Sequence, residues 1–180
     1  MVDQIADGAE WCAAPRGQAV LDRMIADLSA AAGELPFELS VRVLDYPVAN
    51  AFAAPGGHVV IFEGLIIDAE SAEEVAGVLA HEIAHVIHRH PADSLVRTLG
   101  LAALTEGLVG DGLGASAAFL LVATAYSRDA EAQADATAVA LLEAAGYDPG
   151  ALGDFFSRLA QEEEGLGLGF IPGYLSTHPP

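Results

Sequence analysis

The chain has no lysine: all seven basic residues are arginine, set against 26 acidic ones, for a formal net charge of −19. A surface of that sign repels nucleic acid and anionic lipid, so no nucleic-acid partner is expected. Cysteine is nearly absent too. Cys12 stands alone, which excludes an internal disulfide and a thiolate-rich metal site. The opening residues, MVDQIADGAE, carry neither a basic start nor an apolar run and do not read as a signal peptide. Long apolar runs are also missing. Residues 95–125 are rich in Ala, Gly and Leu, but their longest uncharged run, at 112–126, falls short of the roughly 20 residues of a membrane span. That stretch reads as a buried helical hairpin, with a membrane-facing apolar patch over residues 99–125 as the alternative. What the chain does have is 53% hydrophobic residues over 180 positions, enough to bury one core. Residues 1–180 are therefore expected to form a single domain, either cytosolic or cut from a longer, exported or anchored chain.

Periodicity then sets the elements. Val20, Leu21, Met24, Ile25 and Leu28 share one side of residues 15–32, predicting an amphipathic helix that stops at Gly33. Phe37, Leu39, Val41 and Val43 alternate with Glu38, Ser40 and Arg42, which predicts a half-buried strand over 37–44. After Pro47 the chain resumes as extended at 50–52, turns at Pro55-Gly56-Gly57, and enters a β-branched strand at 58–62. Short strands joined by a Gly-Gly hairpin suggest a small antiparallel sheet.

Ser71 and Glu74 form a capping box that starts a helix over 72–89, ending before Pro91. Ser127 caps another helix to Ala145, closed by Gly146 with Pro149 beyond. Asp148-Pro149 opens a last helix through Leu159, followed by Glu162-Glu163-Glu164 and a glycine-rich loop over 165–173.

Inside the first capped helix stands His81-Glu82-Ile83-Ala84-His85. Residues i and i+4 share a helical face, so both imidazoles can reach one metal ion at about 2.0–2.1 Å. Glu82 neighbours that ion and is placed to take a proton from a metal-bound water rather than to bind metal. The bland reading is two surface histidines beside a helical glutamate. A third ligand is needed, and a metzincin would carry Gly at 88 and His at 91, where this chain has His88 and Pro91. A carboxylate on the next long helix is the other solution: Glu131 as ligand, with Asp135 on the same face fixing the tautomer of a ligand histidine. Those acids would otherwise be an ordinary charged helix face.

Four blocks give the chain a resemblance to the M48 zinc metallopeptidases, the group of the CAAX-prenyl, HtpX and Oma1-like proteases. They are Asn50-Ala51-Phe52-Ala53-Ala54-Pro55-Gly56-Gly57; His81 to His85 followed by Arg89-His90; Glu131 to Asp135 after Ser127-Arg128; and Ser176-Thr177-His178-Pro179. The resemblance implies an α+β fold, a mostly helical gluzincin domain with the small sheet beside the H-E-x-x-H helix. It also implies one zinc ion per chain and endopeptidase activity on a protein or peptide substrate, in protein quality control. Asn50, Ala51 and Phe52 would border the cleft and bind an extended substrate by strand addition; a plain turn fixed by Pro55 and Gly56 is the alternative. Family members usually carry an arginine a few residues after the last block, and the sequence stops before that position.

His178 has three readings: a donor to the oxyanion of the tetrahedral intermediate, a plug in the open coordination position, or a tail residue. His58, His88 and His90 are expected to be non-catalytic, since the ligand set is complete without them. A rival function is a latent, chaperone-like zinc-binding module of the same fold; another is a domain that zinc merely stabilises. By resemblance alone, the expected location is the bacterial periplasm or a membrane-associated one, with the cytoplasm as the alternative. Membrane association would run through segments outside this chain or through residues 99–125.

Overall fold

The computed structural model describes residues 10–35, 37–97, 126–166 and 178. The first element is α1 (Pro15–Ala32), with Pro15 in the first turn, where a missing N–H costs nothing. Its buried stripe is Leu21, Met24 and Leu28; Val20 stays exposed beside it. Three strands follow: β1 (Ser40–Leu44), β2 (Ala51–Ala54) and β3 (His58–Phe62). β2 and β3 make the expected antiparallel hairpin, but β1 lies on the other side of β3 and runs parallel to it. The sheet is mixed rather than antiparallel.

The reason is the connection. Residues 45–50 carry the chain from β1 past the end of β3 to the opposite edge. Gly64, just beyond β3, makes room for that crossing: a Cβ there would lie 2.5 Å from the Pro47 carbonyl carbon and oxygen. The Gly64 N–H donates to the Tyr46 carbonyl and the Phe62 N–H to the Asn50 carbonyl, each at 2.9 Å, which pins the crossing segment at both ends. The pleat then divides the side chains. Val41, Val43, Ala51, Ala53, Val59 and Ile61 join the main core, whereas Leu44, Phe52, Ala54, Val60 and Phe62 pack with Trp11 and Val48 on the opposite face.

A short α2 (Glu63–Asp68) leads to Ser71, whose Oγ accepts the Glu74 N–H at 3.2 Å and starts α3 (Ala72–Ile87). The Glu74 carboxylate does not return to Ser71; it accepts the Glu70 N–H at 2.8 Å and pairs with Arg158. Every residue of α3 from Glu74 to Val86 is buried, as expected of a helix packed on all sides. After a turn at His88 and Arg89 the chain is helical again over residues 90–97.

Two long helices complete the described fold. α4 (Arg128–Ala145) is capped by Ser127 Oγ, which accepts the Ala130 N–H at 3.3 Å. α5 (Gly150–Leu166) runs beyond the expected end at Leu159, because Glu162 to Glu164 continue the helix instead of closing it. Both pack on α3, as does β2, so α3 lies between sheet and helices. At Gly77 the approach of α5 is close: an added Cβ would meet the Leu152 Cβ at 3.0 Å. The result is an α+β architecture, mostly helical, with the small sheet beside the H-E-x-x-H helix. No described helix is long and apolar enough to cross a membrane. The expected hairpin or apolar patch over 99–125 and most of the glycine-rich loop over 165–173 lie outside the described residues.

Candidate metal centre

α3 places His81 and His85 one turn apart in the buried interior, and their Nε2 atoms come to 2.9 Å of each other. α4 supplies the third group. Its buried residues, Glu131, Ala134, Ala138, Leu141 and Leu142, recur at three- and four-residue steps, so small alanines let α4 lie against α3 with Glu131 pointing into the gap. Glu131 Oε2 is 3.3 Å from His81 Nε2 and Oε1 is 3.7 Å from His85 Nε2. Asp135, one turn further on, holds the far side of the first ring: His81 Nδ1 is 2.9 Å from Asp135 Oδ1. That carboxylate can only accept, so Nδ1 carries the proton and the Nε2 lone pair is left facing Glu131 and His85.

Electrostatics follow from burial and these partners. Burial pushes the His81 imidazole down, but hydrogen bonds to Asp135 and Glu131 and the charges of Glu82 and Glu131 outweigh it, raising its pKa to about 9. For His85 burial wins, with the neighbouring His81 charge adding to it against the Glu131 hydrogen bond, and the pKa falls to about 4. Burial would raise the Glu131 carboxyl, yet its pairing with His81 and His85 and the nearby His178 bring it down to about 2. Without metal, both shifts favour an ionised Glu131 facing a second proton on His81, at Nε2, whereas the neutral ring offers Nε2 as a lone pair.

Glu82 is fully buried, as its place on the inner helix requires, and its Oε1 lies 3.4 Å from His178 Nε2. His178 itself is buried, its ring centroid 5.2 Å from that of His81 and 5.3 Å from that of His85. One donor atom from each of His81, His85, Glu131 and His178 falls within 4.8 Å of the other three. Tyr126 stacks on His85 at 4.1 Å between centroids and 20° between planes.

Zinc is the metal that these residue types imply, and the donor set fits it. Ligands held tetrahedrally at about 2.0–2.1 Å from one ion lie about 3.4 Å from each other. The 3.3 and 3.7 Å separations from Glu131 match that spacing, and the Nε2 pair is somewhat tighter. Glu131 Oε1 is buried with no hydrogen-bond partner among the described residues; the His85 Nε2 ring nitrogen is 3.7 Å away. A cation satisfies such an arrangement, and a further hydrogen-bond acceptor does not.

The predicted substrate-binding residues lie on and just before β2, which packs against α3. Asn50, Ala51 and Phe52 are all buried; Asn50 Oδ1 accepts the Ala51 N–H at 2.8 Å, and Phe52 meets Phe62 edge-on at 6.0 Å. Among the described residues β2 is an edge strand, so it presents backbone rather than those side chains. Sequence reasoning set aside two histidines that the structure brings close to the site. His90 Nδ1 lies 2.9 Å from His85 Nδ1 and its Nε2 lies 3.1 Å from Gln133 Oε1, while His88 Nε2 reaches Thr137 Oγ1 at 2.8 Å. The signal available was the four-residue step from Gln133 to Thr137, parallel to that from Glu131 to Asp135 on the adjoining flank.

Residues 15–180 match the model of peptidase family M48. The chain is 36% identical over 142 residues to the mitochondrial metalloendopeptidase OMA1 of Arabidopsis thaliana, covering 77% of this chain and 28% of that one. It is 30% identical over 164 residues to the Schizosaccharomyces pombe protein of that name, covering 88% and 48%. With the beta-barrel assembly-enhancing protease of Yersinia pestis it shares 32% identity over 149 residues, 72% and 29% of the two chains. It thus spans less than half the length of each of these relatives. On the match over residues 15–180, the chain belongs to peptidase family M48.

Proposed function

We propose that this chain is a zinc-dependent metalloendopeptidase domain acting on proteins or peptides. The observation that carries the reading is the convergence of buried His81, His85 and Glu131 donor atoms beside the buried Glu82 carboxylate. His81, His85 and Glu131 would hold the ion, and a zinc ion bound there would supply Lewis acidity and lower the pKa of a bound water towards 7. Glu82 takes the proton of the attacking water and hands it to the leaving amine. Asp135 keeps His81 in the tautomer that presents Nε2.

A substrate would lie along β2. The bond from Phe62 N–H to Asn50 C=O makes those two residues a hydrogen-bonded pair, so alternation turns the polar backbone of Ala51 and Ala53 away from β3. The Ala51 N–H is already taken by Asn50, leaving the Ala51 carbonyl and both Ala53 groups for an added strand. Asn50, Ala51 and Phe52 thereby serve the substrate through the backbone edge that they shape.

His178 supports a second reading of the same fold. Its position among the other three donors favours a fourth ligand that closes the site, a latent or chaperone-like module until the terminal segment withdraws. Its 3.4 Å approach to Glu82 suits a donor to the oxyanion once it has moved. A role in protein quality control, and a periplasmic or membrane-associated location, belong to this proposal on the strength of the relatives alone. The test is cleavage of unfolded casein: activity that chelation removes, zinc restores and Glu82→Gln loses supports the peptidase. Zinc binding without cleavage, relieved by His178→Ala, supports the latent form. Cleavage that survives both chelation and Glu82→Gln would overturn both readings.

A further inference from the structure

We infer that His90 is a positioning residue of the metal centre, accepting the Nδ1–H of His85 so that the His85 Nε2 lone pair faces His81 and Glu131. Two imidazole Nδ1 atoms 2.9 Å apart can share only one proton, so one ring donates and the other accepts. The direction is set one step further out. His90 Nε2 lies 3.1 Å from Gln133 Oε1, a carbonyl oxygen that only accepts, so His90 carries its proton on Nε2. Its Nδ1 is then bare, His85 must donate from Nδ1, and His85 Nε2 is left as a lone pair. Asp135 does the same for His81 directly; Gln133 does it for His85 through one intervening ring.

The local fold is shaped to make this contact. Arg89 is the one non-glycine residue with positive φ, 60°, among the described residues. A left-handed arginine is strained, and such strain persists only where the surroundings impose it. Here it reverses the chain straight after α3 and returns the His90 ring to His85, five residues back. The neighbouring His88 supports that ring, stacked at 5.4 Å and 21°, while its own Nε2 meets Thr137. Gln133 and Thr137 are one turn apart on α4, so this histidine pair ties the end of the His81–His85 helix to the helix that supplies Glu131. The two ligand-bearing helices are thus joined on both flanks of the site.

The inference rests on the zinc reading, and its test separates the two. Zinc affinity is measured by chelator competition on the wild-type chain and on His90→Phe, His90→Asn and Gln133→Leu. The melting temperature of each metal-free chain and the visible spectrum of each cobalt-loaded one are recorded alongside. Phe keeps the ring and its stacking but removes the acceptor, and Asn puts an oxygen where Nδ1 was. His90→Phe should bind zinc about 10–100-fold more weakly, the range for losing the outer partner of a ligand histidine. His90→Asn should return close to wild type, and Gln133→Leu should fall between them. A shifted cobalt spectrum in His90→Phe, with its metal-free melting temperature unchanged, would mark an altered ligand rather than lost packing. Wild-type affinity in His90→Phe, or His90→Asn as weak as His90→Phe, would overturn the inference. Should His90→Phe fail to fold, Gln133→Leu decides: weaker binding supports the relay and unchanged binding overturns it. A wild-type chain that takes up no zinc would instead sink the zinc reading, and this inference with it.

Discussion

The two ends of α3 solve the same problem in opposite ways. Both bury ionisable groups in a helix with no exposed face from Glu74 to Val86. At the N-terminal end the buried charge is Glu74, and the chain itself satisfies it: the Glu70 N–H and the Arg158 guanidinium both donate to its carboxylate. At the C-terminal end, the Nε2 atoms of His81 and His85 and the Glu131 carboxylate converge on one another instead. A buried polar cluster completed by its own donors stabilises a fold, whereas one whose acceptors face inward is built around something else. The contrast is between a buried cluster completed by its own donors and one that a bound cation would complete.

Substitutions should separate the ends cleanly. Glu82→Gln is expected to lower the cleavage rate by roughly 10²–10⁴-fold, the usual worth of a positioned base, while zinc content and melting temperature stay put. A matching loss of stability would blur the division. Arg158→Leu should do the reverse. It strands Glu74 in the interior and is expected to cost about 2–3 kcal/mol in urea unfolding, somewhat less than breaking a fully buried pair because Arg158 keeps partial exposure. Zinc affinity should not change. Asp135→Asn sharpens the comparison from the metal side: about 10–100-fold weaker zinc binding, read by chelator competition, with little effect on folding.

The smallest effect expected is on pH dependence without metal. His81 has its pKa raised from 6.5 to about 9, so its stabilising contribution is full below 6.5 and is lost as pH rises through 9. His85, lowered to about 4, stays neutral while the unfolded chain takes up a proton, so stability falls from pH 6.5 towards 4. Glu131, lowered to about 2, continues that fall below 4.5. Glu82, Asp135, His90 and His178 are the other ionisable side chains that face these groups. The chelator-treated chain should therefore melt highest near pH 6.5 and lower on either side. A melting temperature that keeps rising to pH 9 would contradict the proton placed on His81.

Much of this was legible in the residues. The step from His81 to His85 and that from Glu131 to Asp135 are local spacings, and helix geometry turns them into faces without knowledge of the rest of the fold. Helix ends were legible where chemistry marks them, at Ser71, Ser127 and Gly146. Pairing was not. The alternation over 37–44 marks a strand but not its neighbour, and β1 lies parallel to β3 because Gly64 lets residues 45–50 cross, a contact between segments. The use of His90 was hidden for a similar reason. A five-residue step from His85 places it off the helix face, and only the left-handed Arg89 brings it back. Which way the residues of β2 face was hidden likewise: the sheet pairing decides that the Ala51 and Phe52 side chains enter the protein's two cores.

The most direct test of the central claim is the zinc content of the purified chain after reconstitution and removal of loose metal, beside that of Glu131→Ala. The account predicts about one zinc per chain in the wild type and its loss in the variant, since a three-residue ligand set loses one member. No zinc in the wild type, or the same content in Glu131→Ala, would contradict it.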